Sequence, residues 1–367
     1  MKITLEAGSL AEAVAWTAHA LPRRATTPVL AGIRLDATGG SLRMSAFDYE
    51  TSRTVDVEAE IADDGLVVLP GRLLADVAKV LPVKQRVELV ADGQAVTLTC
   101  GSTEFELRTL PAEDYPKLPE IPPTVGQVDG QAFAEAVNLA ARAASTDDAT
   151  PTLTGIRVDG DGSVLTFAAT DRYRLTSRAV AWDGGELGVL FPAQTLADVV
   201  KGLPAGPATV HLSADGGLAA VSGGGRTTTV RLLDPEWIDY ACRLGTDSYT
   251  TWATIDNVTD VTAAIRRVSL VAERSAPVRL KFAGRQMVVS AGGGEMGRGR
   301  EVVDCVTLDD GDPIEIAFQP QYILDGLASV PYSRCRIGMT SPATPAIIVE
   351  PGIDPKLRYL VMPIREA

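Results

Sequence analysis

Self-similarity at a fixed interval constrains this chain more than any other feature. TPVLAGIRLD at 27–36 returns as TPTLTGIRVD at 150–159, 123 residues later. LPGRLLADVAKVLP at 69–82 returns as FPAQTLADVVKGLP at 191–204, offset by 122, and more weakly as FQPQYILDGLASVP at 318–331. In that third copy Asp325 stands where Asp76 and Asp198 stand, and Arg279 stands where Arg34 and Arg157 stand. RTLPAEDYPKL and RLLDPEWIDYA close the first two copies. Matches at several independent places give three repeats of roughly 122 residues, and such repeats bury their cores against their neighbours. The expected domains are 1–120, 121–244 and 245–367.

Each repeat reads alike. A short strand such as KITLEA precedes a helix whose apolar stripe is Leu10, Val14, Thr17 and Leu21 in the first copy. Phe133, Val137, Ala140 and Ala144 form the second stripe, and Val261, Ile265, Val268 and Ala272 the third. This i, i+4, i+7, i+11 spacing marks one helical face. Alternating strands follow, with turns at Gly39-Gly40 and Asp161-Gly162. A second helix starts after Pro70 or Pro192 and stops before Pro82, Pro204 or Pro331, because the residue before proline avoids helical angles. The fold class is therefore α+β, two helices per repeat on antiparallel sheet. Segments 115–124 and about 240–250 read as linkers.

With 46% hydrophobic residues the chain can bury a real core, and its apolar runs are too short to span a bilayer. The N-terminus carries Glu6 and Glu12 and no long apolar stretch, which argues against a secretory signal. Cys100, Cys242, Cys305 and Cys335 are widely spaced, and His19 and His211 are isolated, so neither disulfide scaffold nor zinc site is expected. A reduced cytoplasmic protein with no cofactor and no metal is the simplest reading. A net charge of −13 confines any nucleic-acid contact to a local basic face. Candidates on or beside the helices are Arg24, Arg72, Lys79, Arg142 and Lys201, with Arg23, Arg266 and Arg267 nearby.

The repeat also suggests a geometry. Two chains closing on each other would present twelve helices, which at about 9–10 Å between neighbours make a circumference of roughly 110–120 Å. Subtracting a helix radius of about 5 Å on each side leaves a hole of roughly 25–28 Å, wide enough for hydrated duplex. A monomeric solenoid with solvated helix charges fits the same pattern.

Four motifs decide between them. The ending YLVMPIR (359–365), AATDRYRL (168–175), TLPAEDYP (109–116) and TTPVL (26–30), together with the threefold repeat, resemble the bacterial sliding clamp family, the beta subunit of DNA polymerase III holoenzyme. The resemblance covers the whole chain. It implies a head-to-tail homodimer ring with helices inside and sheets outside, loaded onto primed double-stranded DNA and without catalysis of its own. It further implies partners that dock by short peptides: the replicative polymerase alpha subunit, the clamp-loader delta subunit, translesion and repair polymerases, ligase and mismatch-repair proteins. No membrane partner is implied.

The resemblance places a peptide-binding pocket at Leu153, Thr170, Arg172, Tyr173, Arg174, Leu175, Ile238, Cys242, Tyr322, Pro345, Val361, Met362, Pro363, Ile364 and Arg365. An apolar cleft with few polar groups suits leucine or phenylalanine anchors. Ile238 and Cys242 stand where the family has proline and arginine, and Arg243 where an apolar residue is usual. Loss of a guanidinium at Cys242 would remove donors for a peptide carbonyl. Hence an alternative: a duplicate clamp whose altered pocket resists clamp-targeting cyclic peptide antibiotics. The resemblance assigns duplex contact to Arg24 and Arg72, with Gln194 at the matching place in the second repeat. The dimer contact falls on Phe105 and Leu270.

Two features suggest other chemistry. SAGGGEMGRGRE (290–301) looks like a phosphate loop but lacks GK[ST], and reads as a hairpin. Asp36, Asp48 and Asp171 could serve a metal-dependent nuclease, yet they recur at equivalent turns, which favours a structural role. Neither histidine has an obvious serine or cysteine partner in sequence.

Overall fold

The computed structural model describes residues 1–365 apart from 204–205, 214–215, 235, 272, 274–275 and 293–296. Its α-helices follow the repeat: α1 (Ala7–Thr17), α2 (Gly71–Val80), α3 (Gly130–Ala143), α4 (Ala193–Lys201), α5 (Val258–Ser269) and α6 (Pro320–Ser329). The expected stripes are buried at Leu10, Val14 and Thr17, at Phe133, Val137 and Ala140, and at Val261, Ile265 and Val268. The Thr17 hydroxyl satisfies itself on the Ala13 carbonyl at 2.7 Å, so a polar residue is tolerated on the stripe. Leu21 lies past α1, beyond a 3-10 turn at Ala18–Ala20, and Ala144 lies one residue past α3. Ala272 and Pro204 fall outside the described residues. Pro70 caps α2 rather than entering it, and Pro320 occupies the first turn of α6. α2 stops at Leu81, before Pro82, and α6 at Val330, before Pro331. Gly39, Gly40 and Gly162 have φ of +76°, +83° and +97°, the left-handed angles that the expected hairpin turns demand.

The residues pack as two compact units, Met1–Gln131 with Asp198–Leu232 and Ala132–Ala197 with Leu233–Ala367. In the first unit, one antiparallel sheet runs Glu60–Asp63, Lys2–Glu6, Arg86–Asp92, Ala95–Cys100, Thr103–Arg108, which leaves the last strand with an open edge. A second sheet continues from strand Leu42–Phe47 through Thr51–Val57 onto Arg226–Arg231, so strands from two repeats share one ladder. Arg53 is buried at that seam. Its guanidinium donates to the carbonyls of Trp16 (3.2 Å) and Asp198 (2.9 Å) and lies 5.2 Å from the Trp16 ring. Those contacts offset the cost of burying the charge.

In the second unit the matching ladder joins Arg174–Ala181 to Leu357–Val361 inside a nine-stranded antiparallel sheet. α6 lies on it through Gly326, where a Cβ would come within 2.7 Å of the Tyr359 ring. A four-stranded sheet runs Arg298–Val303, Gln286–Gly292, Val278–Ala283, Ile314–Phe318, with Arg298–Val303 at an open edge. That edge strand rests on the last turn of α5: a Cβ on Gly299 would lie 3.0 Å from the Val268 carbonyl. The phosphate-loop lookalike is a hairpin, since Gln286–Gly292 pairs antiparallel with Arg298–Val303. Residues 293–296 lie outside the described residues.

Candidate functional site

The site begins at the corner between strands Val164–Thr170 and Arg174–Ala181. Asp171 accepts the backbone N–H groups of Tyr173 and Arg174, both at 3.0 Å, which forces Arg172 to φ +81°. Positive φ is costly for a side chain of this size. The first repeat has the same turn: Asp48 accepts from Glu50 and Thr51, and Tyr49 sits at φ +76°. The strained corner is thus a property of the repeated unit. Asp36 likewise holds Arg34 at 2.7 Å, as Asp159 holds Arg157 at 2.8 Å. These carboxylates are occupied by backbone and arginine donors, as their recurrence implied. His211 does gain a serine partner, which spacing alone did not offer: Ser222 Oγ lies 2.6 Å from Nε2 across a hairpin, and the Pro122 carbonyl lies 3.0 Å from Nδ1. The pair ties a linker to a sheet.

From that corner Arg174 reaches inward. Its Nε donates to Asp171 at 2.9 Å, its Nη1 to Asp325 on α6, and its plane covers the Tyr322 ring at 4.7 Å. Tyr173 stacks on the other part of Tyr322 at 6.0 Å, and the buried Tyr359 hydroxyl donates to the Tyr322 carbonyl at 2.9 Å. Burial pushes the Tyr359 phenol well above its ordinary range, so it stays a donor. One guanidinium therefore couples the strained turn to α6.

The opposite wall is irregular chain. Trp237 Nε1 donates to the Thr152 carbonyl at 3.1 Å, and the Tyr240 hydroxyl donates to Asp159 at 2.9 Å. A 3-10 turn at Ala241–Arg243 then sends Cys242 and Arg243 in different directions. Between the walls lies a cavity of about 730 Å³. Leu153, Thr170, Arg172, Arg174, Leu175, Ile238, Pro345 and Met362, expected from the sequence, all line it. Other expected residues sit elsewhere. Val361 is fully buried and faces the core, because alternation along Leu357–Val361 turns Leu357, Tyr359 and Val361 inward. Leu360 takes its place on the cavity side. Tyr173 and Tyr322 form the stacked pair beside the cavity, Ile364 and Arg365 line an adjoining hollow, and Pro363 lines neither. Cys242 is exposed, its thiol 3.5 Å from the Asp239 carbonyl.

Sequence reasoning missed Ser248, Tyr249, Thr340, Thr344 and Leu360, and marked Arg243 only as a departure from the family pattern, not as a lining residue. The signal for Leu360 was the period of two; the irregular segment offered none for the side to which Arg243 turns. Arg243 supplies a guanidinium one position from Cys242.

The remaining candidates are local features. Arg72 donates to the carbonyls of Pro22 and Arg23, fixing the loop that carries exposed Arg24 beside the start of α2. Lys79 is exposed in the last turn of α2 and Arg142 in that of α3, while Lys201 is engaged by Asp198 at 2.9 Å. Phe105 packs partly against the first unit's core on the open edge strand, and Leu270, at the end of α5, is 81% exposed.

Domain descriptions of the DNA polymerase III beta subunit match in tandem: the N-terminal domain over 1–119, the central domain over 127–239 and the C-terminal domain over 247–365. The beta sliding clamp of Streptomyces coelicolor is 42% identical over all of this chain and 99% of its own length. The beta sliding clamp homolog GriR of Streptomyces muensis is 39% identical with the same coverage. Among solved structures, the sliding clamp of Bacillus subtilis superimposes over both full chains with a TM-score of 0.92 at 26% identity. The Pseudomonas aeruginosa clamp bound to griselimycin gives 0.93 at 24%. Repeated two-helix modules on antiparallel sheet, with a peptide-sized cavity against the C-terminal strand, are the architecture of a replication processivity clamp. The chain belongs to the DNA polymerase III beta subunit family of bacterial sliding clamps. It is a processivity factor of DNA replication, without catalysis of its own.

Proposed function

We propose that two copies close head to tail into a ring around duplex DNA, each contributing clamp domains 1–120, 121–244 and 245–367. The cavity bounded by Leu153, Leu175, Leu360 and Met362 carries this reading. It is apolar at its floor and edged by Arg172, Arg174 and Arg243, a fit for a short peptide with leucine or phenylalanine anchors and exposed carbonyls. Its occupants are the docking peptides of the replicative polymerase alpha subunit, the loader delta subunit, repair and translesion polymerases, ligase and mismatch-repair proteins. The protein acts in the cytoplasm, at the chromosome. Leu270 and Phe105 meet across the subunit contact, where two open sheet edges would otherwise invite aggregation.

A duplicate, antibiotic-resistant clamp was the alternative suggested by Cys242. Arg243 at the cavity supports the ordinary clamp, while the likeness to the homolog GriR and to the griselimycin-bound clamp is consistent with the alternative.

Arg24, Arg72, Lys79 and Arg142 line the inside of the ring and meet phosphates without reading bases. Lys201, already paired with Asp198, contributes least. Duplex binding is therefore expected to weaken steeply with salt and to ignore sequence. Arg24→Ala should lower the log–log salt slope by about one and weaken all sequences equally. A flat salt dependence, or a strong base preference, would contradict this assignment.

A further inference from the structure

The cavity has a counterpart in the first repeat. The offset of 123 residues sets Leu30 against Leu153, Phe47 against Thr170 and the Asp48 turn against the Asp171 turn. Strand register agrees: Leu175 faces Leu360 at one seam, and Ser52 faces Thr229 at the other. The opposite walls start alike, since the N–H groups of Leu233 and Leu110 donate to the carbonyls of Leu190 and Val68, both at 2.8 Å. Five residues beyond these leucines stand Ile238, at the cavity, and Tyr115, at its counterpart. Each set lies within a single unit, the cavity in the second and the counterpart in the first.

What fills the two places differs. Ile238 is 40% exposed and leaves the cavity open. The Tyr115 hydroxyl is instead sealed from solvent beside the Phe47 main chain, without a hydrogen bond of good geometry. A buried hydroxyl so placed costs free energy, so the ring's apolar packing, and not its polar end, is what seats it. The surroundings are closed to match. Leu30 is 2% exposed where Leu153 is half-buried, and the aromatic Phe47 replaces Thr170. The facing pair Leu175 and Leu360 becomes Ser52 and Thr229, buried with their hydroxyls 2.7 Å apart.

We propose that Tyr115 is a built-in occupant of a second docking site: its ring fills the place in the first unit that a peptide's aromatic anchor takes in the second, and so holds each chain to one docking peptide. The comparison with a peptide anchor rests on the cavity being the peptide site. The ligand class of the counterpart is an aromatic side chain, since Leu30 and Phe47 give it apolar walls and a phenol ring already sits there. Irregular chain delivers the occupant: a 3-10 turn at Ala112–Asp114 leads into Tyr115, as irregular chain carries Ile238 in the second unit. A tethered ring has the advantage over a free peptide, because it loses no translational freedom on seating.

The test joins calorimetric titration of the full chain with a synthetic leucine–phenylalanine anchor peptide to thermal unfolding with p-cresol, the tyrosine side chain as a free molecule. The wild type should bind one peptide per chain. Tyr115→Gly should bind two, the second roughly tenfold more weakly because Ser52 and Thr229 replace two leucines. That second site should survive addition of Arg174→Ala. There p-cresol should compete with the peptide, and it should raise the unfolding temperature of Tyr115→Gly more than that of the wild type. Tyr115→Phe, which keeps the ring, should bind one peptide and unfold no earlier than the wild type. A folded Tyr115→Gly that binds one peptide and gains no more from p-cresol than the wild type does overturns the proposal, since the space has then collapsed and Tyr115 is ordinary packing. Should Tyr115→Gly fail to fold alone, its recovery by p-cresol upholds the proposal and a lack of recovery overturns it. A wild type that binds no peptide overturns the cavity reading, while the p-cresol comparison still decides whether Tyr115 fills a site.

Discussion

Replacing Leu270 with aspartate is expected to leave the chain folded and split the ring into monomers of 38.6 kDa. Leu270 ends α5 and is 81% exposed, so in the isolated chain the substitution touches no packed neighbour and should move the unfolding temperature little. In the proposed ring the same position would be covered, and the new carboxylate would be buried without a partner beside Phe105. An uncompensated charge in an apolar contact costs several kcal/mol, which is at least about a hundredfold in the dimer dissociation constant. The split between the two readouts is diagnostic. Light scattering should report half the mass while calorimetry reports an unchanged transition. A dimer that survives at micromolar concentration would move the subunit contact elsewhere.

The second large effect is expected at Arg174. Its side chain is only 12% exposed, and it alone stands between the carboxylates of Asp171 and Asp325, which are 13% and 18% exposed. Arg174→Ala removes the cation from a largely buried triad, strips the cover from the Tyr322 ring and opens the cavity wall. Breaking such a cluster costs about 3 kcal/mol, felt as a lower unfolding temperature for the second unit. Peptide affinity should fall more than tenfold, because the wall and a donor disappear together. Adding Asp325→Asn to Arg174→Ala removes one of the two unpaired carboxylates, the other being held by backbone N–H groups, and should recover much of the stability without restoring the peptide. Recovery of both by the double variant would show that Arg174 serves the fold alone.

Much of this architecture is legible in the sequence because the repeat supplies an internal comparison. The helical stripes, the proline stops and the turns at Asp48 and Asp171 each occur more than once, so pattern and register reinforce each other. What single-chain patterns do not carry is pairing at long range. Nothing local joins Arg174 to Asp325, 151 residues away, or stacks Tyr173 on Tyr322. Arg53 looks like an ordinary alternating strand residue, and only the ladder between Thr51–Val57 and Arg226–Arg231 explains its burial. At the site, most of the cavity floor was readable, whereas the irregular wall was not. A 3-10 turn has no hydrophobic period to announce that Arg243, and not Cys242, lines the cavity. Val361 and Leu360 illustrate the opposite case. Strict alternation through Leu357–Val361 decides which of them lines the cavity once one neighbour, Tyr359, is known to be core.

Topological linkage to DNA is the central claim, and one measurement separates it from charge attraction. The chain is loaded by its loader onto a nicked circular duplex, then passed over a sizing column at high salt before and after a single cut linearises the circle. An encircling ring has no path off a closed circle, so it should elute with the plasmid at salt concentrations that erase phosphate contacts, and leave it after linearisation. Loss from the intact circle at high salt, or equal retention on circular and linear DNA, would contradict the ring.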